Sequence, residues 1–358
     1  MTMTDTVVYL DKVPVGDGYP VVFVAETGTF FNKDIDIAID YVNKIAAAGV
    51  PVFKTEILHD PDICLAGTGL EHQYNHANGK AVEDYRALIE RKIVSLNDYK
   101  KIFSACLKQG MPVIASVYDT IGVDFVKNNG GCALKIARNN IDNVPLIRCA
   151  AASKLPVIFD MGQVYLDEIA FAVRVAREAG ATDLIVNLHP GANPAPANYH
   201  HLRTVNTIKS MFNIPVGLSC HYRGDEILYA AVGAGINLIE KGVDADPDRI
   251  EQDLVSALPL ADLPDAIKKL QACWEALGNT EPLVEQNRDL TVRAGIYVKC
   301  DLDKGSVLTP EVLGWAWPPL GISAREWDRI INRKLNVSLK AGTPLQWKAI
   351  DFKDRDEK

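Results

Sequence analysis

The chain has 358 residues, 48% hydrophobic and 23% charged, with a formal net charge of −8. This balance fits a globular protein with one large domain and a small one and argues against a nucleic-acid binder, which would carry a basic stripe. No apolar run reaches the ~18 residues of a membrane span. The start, M-T-M-T-D-T-V-V-Y-L, lacks the basic residues and apolar core of a secretory leader, and seven cysteines without a C-x-x-C pair read as reduced thiols in a cytoplasm.

From about residue 20, short Val- and Ile-rich runs alternate with helical patterns. The runs are V-V-F-V-A-E (21–26), P-V-F-K-T-E (51–56), P-V-I-A-S-V (112–117), A-L-K-I-A (133–137), P-V-I-F-D (156–160), D-L-I-V-N-L-H (183–189), P-V-G-L-S-C-H (215–221) and N-L-I-E-K (237–241). Near-continuous apolar runs of this length predict strands covered on both faces, as in a parallel sheet. Between them, I-D-I-A-I-D-Y-V-N-K-I (35–45) gathers apolar residues on one helix face, and L-D-E-I-A-F-A-V-R-V-A-R-E-A-G (166–180) does the same before stopping at Gly180. Repeated β-then-α units predict an α/β fold, a TIM (β/α)8 barrel within a domain of residues 1–282. An open doubly wound sheet is the competing architecture; the absence of G-x-G-x-x-G after the first strand counts against it.

One connection, between Glu56 and Tyr99, is long enough to be functional, a lid or a partner contact on the catalytic face. It carries His59, His72 and His76; the last two have the spacing of a helical metal pair, against a plain solvated reading. After about residue 280 the pattern changes to short strands with a D-K-G turn. This predicts a small β-rich module at 288–352, joined by the linker E-A-L-G-N-T-E-P-L-V-E-Q-N and followed by a charged tail, 353–358. In that module G-W-A-W-P-P reads as packing rather than a sugar platform. His200 and His201 read as solvated residues at a helix start.

Barrel chemistry sits at the C-terminal ends of the strands. Those ends carry Glu26, Lys54, Glu56, Ser116, Asp119, Lys135, Arg138, Asp160, Asn187, His189, Ser219, His221, Glu240 and Lys241. Lys54 and Lys135 lie inside apolar runs, where an unpaired ammonium is costly. Each therefore needs an anion: either an internal carboxylate, such as Glu26 for Lys54, or an anionic substrate held with Arg138, Ser116 and Ser219.

In this order the residues resemble the N-acetylneuraminate (sialic acid) synthase family. The resemblance rests on V-A-E-T-G after the first strand, S-L-N-D-Y-K-K-I-F-S-A-C (95–106), L-K-I-A-R-N-N-I-D-N-V-P-L-I (134–147), V-G-L-S-C-H and L-I-E-K. The C-terminal module, with D-L-D-K-G-S-V-L-T-P-E-V-L and L-K-A-G-T-P-L, is similar to the family's antifreeze-like (SAF) domain. The resemblance implies condensation of phosphoenolpyruvate with an amino-sugar aldehyde such as N-acetylmannosamine, giving a nine-carbon 2-keto-3-deoxy acid and phosphate. It also implies a divalent metal, typically manganese, and a homodimer in which the C-terminal domain of one subunit covers the barrel mouth of the other.

By position, the resemblance makes Glu26 the acid–base group and Lys54, Ser116, Lys135 and Ser219 the phosphoenolpyruvate contacts. It makes His221 a metal ligand and catalytic residue that polarises the acceptor carbonyl, with or without the ion, Asp253 an acceptor contact, and Arg293 the basic residue reaching the partner's acceptor. His189 and Asn193 fall in the segment that touches both substrates. The chain departs from the pattern at several points: Gly242 stands where the second histidine ligand is expected, Cys220 replaces an aspartate, and Arg138 replaces a serine. Asp160 opens a changed turn, the 189–196 segment lacks its tyrosine, and Leu254 replaces a histidine. Arg138 adds a guanidinium suited to phosphate. Cys220, His189 or Asp160 are candidates to complete a metal site. A non-catalytic relative that binds a phosphorylated sugar or sugar acid is the alternative reading.

Overall fold

The structure, a computed structural model, describes residues 6–278 and 292–352. Most of the expected linker and the expected tail at 353–358 lie outside the described residues. The chain divides into two compact units, 1–278 and 279–358.

In the first unit the eight expected runs form parallel strands: β1 Val22–Gly28, β2 Val52–Glu56, β3 Val113–Ser116, β4 Ala133–Ile136, β5 Val157–Asp160, β6 Leu184–Leu188, β7 Val216–Cys220 and β8 Leu238–Asp244. Each pairs with the next, and β8 closes on β1 with Glu240 opposite Val24 and Gly242 opposite Glu26. This is a closed TIM-type barrel. Helices between the strands include α1 Ile35–Ala47, started by Asp34 accepting from the amides of Asp36 and Ile37, and α2 Leu96–Lys108, started by Ser95. Capping of this kind is worth about 1 kcal/mol per helix.

Strand side chains alternate between the outer helix layer and the barrel interior. Inside, the lower layer is apolar: Val22, Val24, Val52, Ile114, Ala133, Ile158, Ile185 and Leu238. Below it, Val8, Leu10 and Val15 of the hairpin Val8–Leu10/Val13–Val15 fill the barrel end. That hairpin was not expected from the sequence. Each such buried aliphatic side chain contributes about 1.5–3 kcal/mol, so the floor is rigid and dry. One step up, the inward residue of every strand is polar: Glu26, Lys54, Ser116, Lys135, Asp160, Asn187, Ser219 and Glu240.

The 57–95 connection is structured rather than a bare loop. A short turn at Pro61–Ile63 leads into the hairpin Glu71–His76/Gly79–Asp84 and the helix Tyr85–Lys92. Arg91 of that helix bonds Glu83 at 2.9 Å and Glu251, beyond β8, at 2.5 Å, tying the hairpin to the barrel rim. His72 and His76 are on a strand, where four residues span about 13 Å. The helical metal-pair reading is therefore wrong.

Among its described residues the second unit holds two antiparallel strand pairs, Gly295–Val298 with Leu313–Ala316 and Lys334–Leu335 with Ile350–Asp351. They enclose a core of Ile296, Val298, Leu308, Leu313, Ile322, Ile330 and Leu345. Trp315 and Trp317, expected to pack, are instead 65% and 78% exposed.

Candidate active site

The polar layer forms the base of a cavity of about 570 Å³ at the C-terminal ends of the strands. Lys135 Nζ sits 2.8 Å from Asp160 Oδ2 and 2.5 Å from Glu240 Oε1, and donates to Ser219 Oγ at 3.0 Å. Lys54 Nζ bonds Glu26 Oε1 and lies 3.4 Å from the same Glu240 oxygen. Glu240 is thus shared by both ammonium groups. Asn187 Nδ2 donates to Ser219 Oγ at 3.3 Å. It reaches along the neighbouring strand only because position 217, directly opposite Asn187, is glycine: a Cβ there would lie 2.1 Å from Asn187 Oδ1.

Burial and charge set the protonation states. Burial pushes the Glu26 carboxyl up to about 8, opposed by Lys54 and reinforced by the neighbouring Glu240 carboxylate. Burial alone would raise Glu240 too, but Lys135 and Lys54 outweigh it and bring it down to about 2. Asp160 goes the same way: Lys135 overcomes the burial cost and holds it below the usual carboxylate range. Both lysines are held above their ordinary value by these carboxylates, against burial. Two lysines therefore balance Asp160 and Glu240, and Glu26 keeps a proton at neutral pH. Burial, with His189 beside it, lowers His221 to about 3, so its ring is neutral.

The upper wall carries the histidines. The rings of His189 and His221 lie 4.4 Å apart. His189 Nδ1 accepts from the Gly191 amide at 2.9 Å, while His221 Nδ1 is buried with no protein partner. Asn193 donates to Asp253 Oδ1 at 2.9 Å, and Asn75 of the hairpin donates to the Asn193 carbonyl at 2.7 Å. Arg138 lies exposed at the rim, hydrogen-bonded to Gln163.

Of the residues expected in a site, Glu26, Lys54, Ser116, Lys135, Arg138, Asp160, His189, Asn193, His221 and Asp253 all line this cavity. Ser219 sits beneath, bonded to Lys135. Arg293 is in the second unit and exposed. Three expectations change. Asp119 starts the helix Thr120–Asn128, accepting from the Gly122 amide at 2.6 Å. Lys241 and Cys220 face out of the barrel, 3.9 Å apart, so the Cys220 thiol is on the wrong face to join His221. His200 is buried, its Nδ1 near the carbonyls of Pro196 and Ala197. Glu56 and Glu240, named at strand ends but given no role there, also line the cavity, as do Tyr118 and Asn75, which the sequence did not point to. Glu240 had a signal: it shares the inward register of Leu238 on β8.

The donor set does not fit the implied metal. Among the described residues no group of three or more His, Cys, Asp or Glu side chains converges to hold an ion. Position 242 offers no ligand, and the nearest neighbours of a Cβ there would be the apolar Ala257 and Phe30, at 3.6 Å. Asp160 gives Oδ2 to Lys135 and keeps a buried, unpartnered Oδ1, and Asp253 accepts from Asn193; among the described residues no second and third ligand stands with them.

The NeuB family profile matches residues 41–282, and the SAF domain profile matches 293–351. The N,N'-diacetyllegionaminic acid synthase of Legionella pneumophila is 26% identical over 94% of this chain and 97% of its own length. A pseudaminic acid synthase of Helicobacter pylori is 22% identical over 91% and 96%. The crystal structure of N-acetylneuraminic acid synthetase from Leptospira borgpetersenii superposes with a TM-score of 0.71 at 21% identity, covering 80% of this chain and 94% of that one. With the barrel, the small β-rich module and the ionic layer in place, the chain belongs to the NeuB family.

Proposed function

We propose that this protein condenses phosphoenolpyruvate with an open-chain amino-sugar aldehyde, giving a 2-keto-3-deoxy nonulosonic-type acid and phosphate. The observation that carries this reading is the pair of buried lysines beneath an open cavity, with a protonated carboxyl, Glu26, at their side. A trianion entering the cavity would meet Lys54, Lys135, Ser116 and Ser219 at its base. Arg138 is the cavity cation with no carboxylate partner among the described residues and supplies further positive charge at the rim.

In this mechanism C3 of phosphoenolpyruvate attacks the aldehyde carbon, and a proton from Glu26 reaches the new alkoxide. Water adds to C2, and phosphate leaves as the 2-keto group forms. The atoms balance as phosphoenolpyruvate, aldehyde and water giving keto acid and phosphate. The hairpin residue Asn75 and the Asn193–Asp253 pair stand where an acceptor's hydroxyl or amide groups would bind. The names of the relatives support an amino-sugar-derived acceptor, and the altered 189–196 segment supports one unlike N-acetylmannosamine. By the same likeness, the protein works as a homodimer with Arg293 reaching the partner's acceptor.

Gly242 favours one other reading, a non-catalytic relative that binds a phosphorylated sugar. The test is phosphate release from phosphoenolpyruvate across a panel of aldoses, with Glu26→Gln as control. An active enzyme loses turnover on that substitution while retaining phosphoenolpyruvate. Binding without release by the unmodified protein, whatever the aldose, would support the non-catalytic reading.

A further inference from the structure

The attack on an aldehyde puts negative charge on the carbonyl oxygen, and something in the cavity must meet it. Among the described residues the metal donor set is not there. The two lysines are committed to carboxylates at the base, and Arg138 is out at the rim. Asn193 of the upper wall gives its side-chain N–H to Asp253, and Asn75 gives its own to the Asn193 carbonyl; beside them stands the imidazole pair. His189 is the defined member: its Nδ1 accepts the Gly191 amide hydrogen at 2.9 Å, so the ring's proton resides on Nε2.

Two glycines build that arrangement. Gly191, at φ +74°, turns its N–H back toward the ring, a conformation glycine adopts without a steric cost. Gly162 leaves the room: a Cβ there would lie 2.9 Å from His189 Nδ1 and 2.9 Å from Arg138 Cδ. His221 packs against the same ring from β7, 4.4 Å between centroids, and limits its rotation.

We propose that in this chain the Nε2–H of His189, buttressed by His221, takes the role of a metal ion at the acceptor carbonyl. The inference rests on the condensation reading above and assigns His189 as a catalytic hydrogen-bond donor. No electron or proton transfer is required of the ring, only a donor that strengthens as the alkoxide forms.

The experiment has three readouts on the full chain. First, Mn2+ alone is titrated into metal-stripped protein and followed by electron paramagnetic resonance; the expected result is no stoichiometric binding. Second, 15N shifts of the His189 ring report the tautomer; protonation at Nε2 is expected, and protonation at Nδ1 overturns the proposal. Third, phosphate release is measured in chelator. It is expected to persist, and His189→Ala to lower kcat by about 10²–10³-fold with phosphoenolpyruvate affinity unchanged. His189→Gln, which keeps an N–H donor, is expected to recover part of the loss. One equivalent of Mn2+ bound by the unmodified protein and lost in His221→Ala, or release that requires Mn2+, overturns the inference while leaving the condensation reading intact. No release with phosphoenolpyruvate bound overturns that reading and this inference with it.

Discussion

Replacing Glu240 by glutamine tests the electrostatic account of the site most directly. The carboxylate lies 2.5 Å from Lys135 Nζ and 3.4 Å from Lys54 Nζ, and it hydrogen-bonds Glu26. It therefore does two things: it holds the lysines and it keeps a proton on Glu26. Two unit charges about 4 Å apart at an effective dielectric of 20 interact by about 4 kcal/mol, near 3 pH units. Lys54, lying between the two carboxylates, offsets part of this, so Glu240→Gln is expected to lower the Glu26 pKa from about 8 by about 1–2 units. If Glu26 must be protonated to act, the alkaline limb of the rate profile moves down with it. The assay is phosphate release against pH, backed by 13C titration of the Glu26 carboxyl, which needs no turnover. Stability should fall by about 1–3 kcal/mol, less than the 3–5 usual for breaking a buried pair, because the newly ionised Glu26 takes over part of the lysines' charge. An unchanged Glu26 titration near 8 in the variant would refute this coupling.

Lys135→Met strands Asp160 without its cation and leaves Glu240 to Lys54 alone, and should cost about 3–5 kcal/mol, read by thermal unfolding. Adding Asp160→Asn should recover part of that stability without restoring phosphoenolpyruvate affinity, measured by calorimetry. Arg91→Ala removes the cation that links Glu83 of the hairpin to Glu251 at the rim; acceptor KM should rise several-fold with phosphoenolpyruvate binding unchanged, and hydrogen exchange over 71–84 should quicken. Glu240 and Asp160 are depressed in the fold, so the stability they give is full above the ordinary carboxylate pKa and lost as pH falls. Unfolding in acid should therefore set in below about pH 4.5 and be blunted in Glu240→Gln.

The barrel was legible because its strands are buried on both faces and written as apolar runs with a polar residue where the interior opens. Glu26, Lys54 and Lys135 could be selected for the same reason: a charge inside such a run has to be explained. The rest depended on contacts the sequence does not display. The hairpin at 8–15 has three-residue strands that gain stability only against the barrel floor. His200 is buried by a turn whose carbonyls it meets, not by its own neighbours in sequence. The 72–76 histidines carried a helical spacing, yet A-N-G-K at 77–80 already marked a hairpin turn, and turn chemistry prevailed over periodicity. Glu240 was visible at a strand end, but its bond to two lysines is a property of barrel closure, where β8 returns to β1.

A buried ionic layer is a poor way to stabilise a fold; apolar residues of similar volume do as well or better. The floor one step below shows that this chain can fill a barrel with Val and Ile where only stability is at stake. Glu26 sharpens the point. In the unfolded chain it ionises near 4.5, and in the fold near 8. As pH rises from 4.5 to 7 the unfolded state sheds a proton that the folded state keeps, which costs about 3 kcal/mol at neutral pH. Glu26→Leu should relieve that penalty, although it also removes a partner of Lys54. The retention of a carboxyl whose burial opposes folding, beside two lysines already balanced by Asp160 and Glu240, is explained by a reaction needing a proton donor next to an anion. A purely binding protein would need the lysines and not the acid.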